Sequence, residues 1–277
     1  MSERKILTDE QKSIIYQLYV NEKRGQAACA RAAGTSIRIV KRYLQEEKIP
    51  IRNFSEAAIA SNMNRRQYDI NDDYFCHESP NMAYLLGFIA ADGSISKREN
   101  ELKIGLSAVD KEFLQKLAIE MGSNRQVKEY INAAGYNCCE WHCSSKKIKD
   151  TLAKYNIVPA KTYTFTFPRH LKREYWIDFI RGYFDGDGCI STAGKNALRW
   201  QIVAANKDVL QTIIEYFWEE YNIPKVSIQE RGSTPCYYFQ YSTSATKQIY
   251  KILYRENSLY LPRKKEKFDT LLKNKMI

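Results

Sequence analysis

The chain has 277 residues, with 43 Lys+Arg against 32 Asp+Glu and a formal net charge of +11. Hydrophobic residues make up 44% and aromatics 13%, enough apolar side chain for a core, which excludes a chain disordered over most of its length. No apolar run approaches the roughly 20 residues that span a bilayer, and the start MSERKILTDEQK lacks the apolar core of a signal peptide.

An intracellular protein, cytoplasmic or nucleoid-associated, is therefore expected, without a membrane-spanning segment. Its 7 cysteines are scattered and expected to be reduced. The surplus of positive charge points to a polyanion, nucleic acid or an acidic membrane surface, and composition does not choose between them.

Residues 1–66 come first, with helical patterning and 13 Lys+Arg against 7 Asp+Glu. Thr8 followed by Gln11 predicts a capping box, and Ser36 after the Gly34-Thr35 turn predicts the start of a basic helix. Helix, short helix, glycine turn and basic helix is the layout of a helix-turn-helix, with Arg38, Lys41 and Arg42 aimed at a major groove or at phosphates. Residues 67–80 (QYDINDDYFCHESP) lose this periodicity and read as a linker ending at Pro80.

The remainder is duplicated. Leu85–Gly93 reads LLGFIAADG and Ile180–Gly188 reads IRGYFDGDG, so Gly87, Asp92 and Gly93 recur as Gly182, Asp187 and Gly188. Alternating Leu102, Ile104 and Leu106 are answered by Leu198, Trp200 and Ile202, and the helical spacing of Phe113, Leu114 and Leu117 by Val209, Leu210 and Ile213. Further strand pairs follow in each half, then VPAKT (158–162) is answered by LPRKK (261–265). The same elements in the same order predict a twice-used α+β unit, with repeats at 81–172 and 173–277.

Each motif reads as a helix that its final glycine ends in a left-handed cap. Gly87 and Ala91, like Gly182 and Gly186, lie one turn apart, so the two helices can pack closely as a pseudo-twofold pair. Close packing brings Asp92 and Asp187 together beside two helix C-termini, a negative concentration that calls for a cation. Hard oxygen donors favour Mg²⁺, with phosphate oxygens and water as its remaining ligands.

Over residues 80–277 these motifs, the element order behind them and the trailing lysines resemble the LAGLIDADG homing endonucleases, in the single-chain form with two motifs. The resemblance implies an α+β fold of two pseudo-symmetric αββαββα repeats forming a DNA-binding saddle. It also implies Mg²⁺-dependent hydrolysis of both strands of double-stranded DNA, leaving short 3′ overhangs. Asp92 and Asp187 match the acids that hold divalent ions, with the carbonyls of Ala91 and Gly186 as neighbouring ligands; Mn²⁺ and Ca²⁺ are alternative occupants. Lys161 and Lys264 match a basic residue beside the scissile phosphate, and Gly87 and Gly182 sit in the helix interface. The motif's first acid is present as Asp185 and replaced by Ala90 in the first half.

Strand alternation supplies a candidate DNA face. If Leu102, Ile104 and Leu106 face the core, Lys103 and Ser107 face away, as do Arg199 and Gln201 in the second half. The hairpins add Ser96, Arg98, Lys128, Tyr130 and Asn132, then Ser227, Gln229, Arg231 and Gln240. Cys138, Cys139, His142 and Cys143 resemble a zinc set, yet Cys139, Trp141 and Cys143 alternate as one strand face whose counterparts, Phe239 and Tyr241, cannot ligate.

The reading is a monomer with pseudo-twofold symmetry and a long asymmetric double-stranded DNA target. An intron maturase binding RNA and a non-cutting DNA-binding regulator are the alternatives.

Overall fold

The computed structural model describes residues 6–53, 56–57, 68–193, 197–232 and 235–273. The chain divides into two compact units, Met1–Tyr68 and Asp69–Ile277.

The first unit is helical. Helix α1 (Asp9–Tyr16) starts in a complete capping box between Thr8 and Gln11 and runs on through a π-helical turn (Gln17–Asn21). Helix α2 (Gln26–Ala32) is followed by a turn in which Gly34 takes φ +60°, a conformation open to glycine, and α3 (Ile37–Glu46) is capped by Ser36. Ile15, Tyr19, Cys29, Ala30, Val40, Tyr43 and Leu44 form its core. Arg52 stacks 4.0 Å from the centre of the Tyr19 ring and donates to the carbonyls of Lys23 and Arg24, tying down the chain after α3.

The second unit holds both repeats. Helix α4 (Pro80–Asp92) leads into β1 (Gly93–Ile95), β2 (Glu101–Ser107), α5 (Lys111–Glu120), β3 (Lys128–Ile131), β4 (Asn137–Ser144) and α6 (Lys146–Lys154). Helix α7 (Trp176–Asp187) begins the same series again: β5 (Gly188–Ala193), β6 (Ala197–Ala204), α8 (Lys207–Tyr221), β7 (Gln229–Glu230), β8 (Tyr237–Tyr241) and α9 (Thr243–Leu253). A last helix, α10 (Pro262–Lys273), follows the second repeat. The sheets are ordered β1-β2-β4-β3 and β5-β6-β8-β7, with every pairing antiparallel. This is the expected α+β architecture of paired αββαββα repeats.

Helices α4 and α7 are buried on nearly all sides, as their apolar sequences require, and they pack on each other. Gly87 and Gly182 make the approach possible. A Cβ on Gly87 would overlap the Phe179 carbonyl oxygen and lie 2.9 Å from the Tyr183 nitrogen. One on Gly182 would overlap the Tyr84 carbonyl oxygen and lie 2.9 Å from the Phe88 nitrogen, so the contact is reciprocal. On each sheet the inward side chains, Leu102, Ile104 and Trp141 in one and Leu198, Trp200 and Ile202 in the other, are buried.

Two expectations need correction. Residues 69–79 are no linker: Phe75 is buried in the main core, the Asn71 amide donates to the Met121 carbonyl at 2.9 Å, and Asp72 accepts from Ser145. The Asp and Asn side chains that erase periodicity there are anchoring the segment to the first repeat. Gly93 and Gly188 do not form left-handed caps, because φ is −80° and −91° and both are extended. A side chain is excluded there by crowding instead, since a Cβ on Gly93 would sit 2.6 Å from Ile89 Cγ2 and one on Gly188 2.5 Å from the Phe184 carbonyl oxygen.

Candidate active site at the helix seam

Asp92 and Asp187 are the last residues of α4 and α7, and the reciprocal glycine contacts bring these helix ends together. A Cβ on Gly186 would meet Asp92 Oδ2 at 3.2 Å, so the first carboxylate lies directly against the end of the second helix. Both aspartates keep solvent-exposed surface. Burial of their surroundings raises the Asp187 carboxyl to about 6, and the charge of Asp92 adds to the rise; Lys161 and Lys264 oppose it. Burial also raises Asp92, against the pull of Lys264, Lys161 and Arg263. Burial holds the Tyr183 hydroxyl well above its usual range, and the neighbouring Asp187 charge adds to the rise.

The lysines that answer each other in sequence do different things. Lys161 donates to the Gly93 carbonyl at 2.6 Å, just past the first motif acid. Lys264, buried, donates to the carbonyls of Phe184, Asp185 and Gly186 at 2.6, 2.7 and 3.0 Å and so caps the C-terminus of α7. Burial lowers Lys161, with the two aspartates opposing, and takes Lys264 down to about 8. The Gly186 carbonyl, expected as a metal ligand, is thus already shared with an ammonium group.

Asp185 explains part of this asymmetry. Its Oδ2 accepts from the Tyr84 hydroxyl of α4 at 2.7 Å and from the Leu261 amide at 2.8 Å, which fixes the start of α10 and with it Lys264. Burial raises the Asp185 carboxyl to about 6 despite these bonds. Ala90, its counterpart, has no such reach. Sequence reasoning also missed Arg263, which pairs with the buried Asp110 of the first repeat at 2.7 Å. Its counterpart by the trailing-lysine alignment is Ala160, so no repeated signal marked it.

The donor set fits a hard divalent cation. Two carboxylates with exposed surface stand at adjoining helix C-termini, and among the described residues no group of three or more His, Cys, Asp and Glu gathers, at the seam or elsewhere. Water or phosphate would have to complete the shell. The cysteine set is split by the pleat: Cys139 and Cys143 point into the core, whereas His142 meets Glu101 and Arg125 on the other face.

The candidate DNA residues fall mostly where alternation places them. Lys103 lies outward and pairs with Glu140; Ser107, Lys128, Tyr130 and Arg199 are exposed; Gln201 and Gln240 stand opposite each other across β6 and β8. Ser96 and Arg98 occupy the β1–β2 turn, where Ser96 Oγ accepts from the Glu99 amide. Asn132 Oδ1 accepts from the amides of Ala134 and Tyr136, so this side chain shapes its hairpin. Ser227 precedes β7, Gln229 accepts from the Tyr238 hydroxyl, and Arg231 is exposed beside Gly232. In the first unit Arg38 and Lys41 are exposed on α3, while Arg42 pairs with Glu46 at 3.8 Å.

Fold and seam together define a single-chain α+β protein of two quasi-equivalent repeats, joined through helices that each end in an aspartate. Residues 79–154, the first repeat, match the family model described as LAGLIDADG-like domain, and the second repeat follows with the same order of elements.

A curated relative, "Uncharacterized protein MJ0314" of Methanocaldococcus jannaschii, is 23% identical over 204 residues, 66% of this chain and 69% of its own length. Among solved structures, meganuclease I-SmaMI bound to uncleavable DNA is similar with a TM-score of 0.48 and 13% identity, covering 72% of this chain and 90% of that one. A mesophilic variant of the homing endonuclease I-DmoI scores 0.48 at 18% identity, covering 72% and 99%. The N-terminal LAGLIDADG domain of DUF199/WhiA scores 0.43 at 16% identity, covering 75% and 96%. Among the described residues no helix is long and apolar enough to cross a membrane.

Proposed function

We propose that this protein is a site-specific, divalent-metal-dependent endonuclease that cuts both strands of a long, asymmetric DNA duplex. The observation that carries the reading is the meeting of Asp92 and Asp187 at the ends of two helices that glycine holds in contact. A protein that only binds DNA has no use for two carboxylates at adjoining helix ends, where the charge of one raises the other.

Mg²⁺, with Mn²⁺ or Ca²⁺ as alternatives, would be held by Asp92 and Asp187 and would supply charge neutralisation at the attacked phosphate and at the departing oxygen. The Ala91 carbonyl is the remaining backbone ligand of the proposal. The protein's own groups do the rest. Lys161, held at the Gly93 carbonyl, is a fixed positive charge beside the seam that stabilises charge developing on the phosphate. Lys264 holds the end of α7 in place and lowers the negative field of the second aspartate. The outward sheet faces read base edges, and exposed Arg98 and Arg231 contact phosphates. The first unit acts as a helix-turn-helix, with Arg38 and Lys41 of α3 lengthening the contacted site.

The test is incubation of the full chain with a plasmid library carrying randomised inserts, with and without Mg²⁺, alongside Asp187→Asn. Cutting is expected only with metal. The substitution should abolish double-strand cleavage and leave retention of DNA largely intact. Binding without any cutting would assign the chain to the non-cutting regulators, and binding of structured RNA alone to the maturases.

A further inference from the structure

The two sheets expose different chemistry at equivalent positions. Gly93 pairs with Ile104 and Gly188 with Ile202, which makes Lys103 the counterpart of Gln201. By the same register His142 corresponds to Gln240, Glu140 to Tyr238, Gly105 to Val203, and Lys128 to Gln229. At Lys103, Glu140 and Lys128 the first sheet thus carries charged side chains where the second has Gln201, Tyr238 and Gln229. Its groups are also paired in advance: Lys103 with Glu140, and Glu101 with His142, which meets Arg125 in turn. On the second sheet Gln201 and Gln240 face each other, Gln229 is fixed by the Tyr238 hydroxyl, and Val203 is an apolar neighbour.

Base edges separate these two surfaces. Guanine shows two adjacent acceptors and its cytosine a donor. A lysine paired with a glutamate matches that pattern, since the ammonium has further donors and the carboxylate further lone pairs. Adenine shows an acceptor beside a donor, which one carboxamide satisfies with both its ends, and thymine adds a methyl group that valine can touch. An ammonium has no acceptor for the adenine amino group. Arg199, facing Ser191 and two residues farther from the seam than Gln201, is the exception on the second sheet and suits a guanine at that outer position.

We infer that the repeats read half-sites of opposite composition: the first a G·C-rich half through Lys103 and Glu140, the second an A·T-rich half through Gln201 and Gln240. This rests on the DNA-cleaving reading proposed above.

The experiment is selection by the full wild-type chain from randomised duplex oligonucleotides, with Ca²⁺ in place of Mg²⁺, followed by sequencing of the retained DNA. Recovered sites should have one half rich in G·C and the other in A·T. Gln201→Ala combined with Gln240→Ala should relax discrimination about tenfold in the A·T half alone, and Lys103→Ala combined with Glu140→Ala should do so in the G·C half alone. Equal composition in both halves of the wild-type selection overturns the inference whatever the variants do, as does each double variant relaxing the opposite half; both outcomes leave DNA recognition standing. Retention of no duplex above background overturns the DNA reading and the inference with it.

Discussion

Asp187 stands at about 6 in the folded protein against 3.8 when unperturbed, so the native state binds more protons between those values. Its ionisation therefore opposes folding: the favourable contribution is complete below about pH 4 and is lost as pH rises through about 6. Without metal, Asp187→Asn should melt higher than wild type at about pH 7, and the two should converge near pH 4. Mg²⁺ should then raise the melting temperature of wild type more than that of the variant. A wild type that melts higher than the variant at neutral pH in chelator would show that the carboxylate is not under repulsion. Lys264 makes a second case. Its three carbonyl partners are the end of α7, so Lys264→Met should lower unfolding free energy by about 3 kcal/mol in a denaturant titration. Lys161→Met, losing one half-exposed contact, should cost clearly less. The sequence pairs these two lysines as equals, and their motifs give no hint of the difference. It arises because Asp185 holds Leu261 and Ala90 can hold nothing.

At the scale of elements, the seam depends on two absent side chains. In each direction a β-carbon at the glycine would overlap a backbone oxygen of the facing helix, and backbone cannot rotate aside as a side chain can. Gly87→Ala or Gly182→Ala should therefore cost about 3 kcal/mol or more, measured by chemical denaturation, and spread the helix ends that hold the aspartates. The same change at Gly25, the N-cap of α2, where a Cβ meets nothing within 4 Å, is the control and should cost only about 1 kcal/mol. If Gly182→Ala matched that control, the close helix approach would be wrong. The small-residue spacing that predicted this interface was legible because a helix repeats its faces every three to four residues. The reason for Gly93 and Gly188 was not legible. A helix-ending glycine commonly supplies a left-handed turn, and only the packed neighbours reveal that these two are extended and small for lack of room.

For the whole molecule, the division at Tyr68 predicts that residues 69–277 fold alone. That fragment should show a single cooperative melting transition and keep the Mg²⁺ response of the full chain. It should bind duplex DNA more weakly, with a shallower dependence on salt, because residues 1–68 carry a basic excess that neutralises phosphates. Equal affinity and salt slope in gel-shift titrations would remove the first unit from the contacted site. By itself the sequence determined the duplication, the faces of the strands, the helix caps at Thr8 and Ser36, and the aspartate at the end of each motif helix. Those follow from periodicity and from interactions between residues a few places apart, which the order of residues contains in full. Tertiary structure alone decided that Phe75 belongs to the core, that Asp185 fastens Leu261, and that Lys264 reaches carbonyls about 80 positions back along the chain. Such contacts depend on where the chain returns in space, and no local pattern encodes that return.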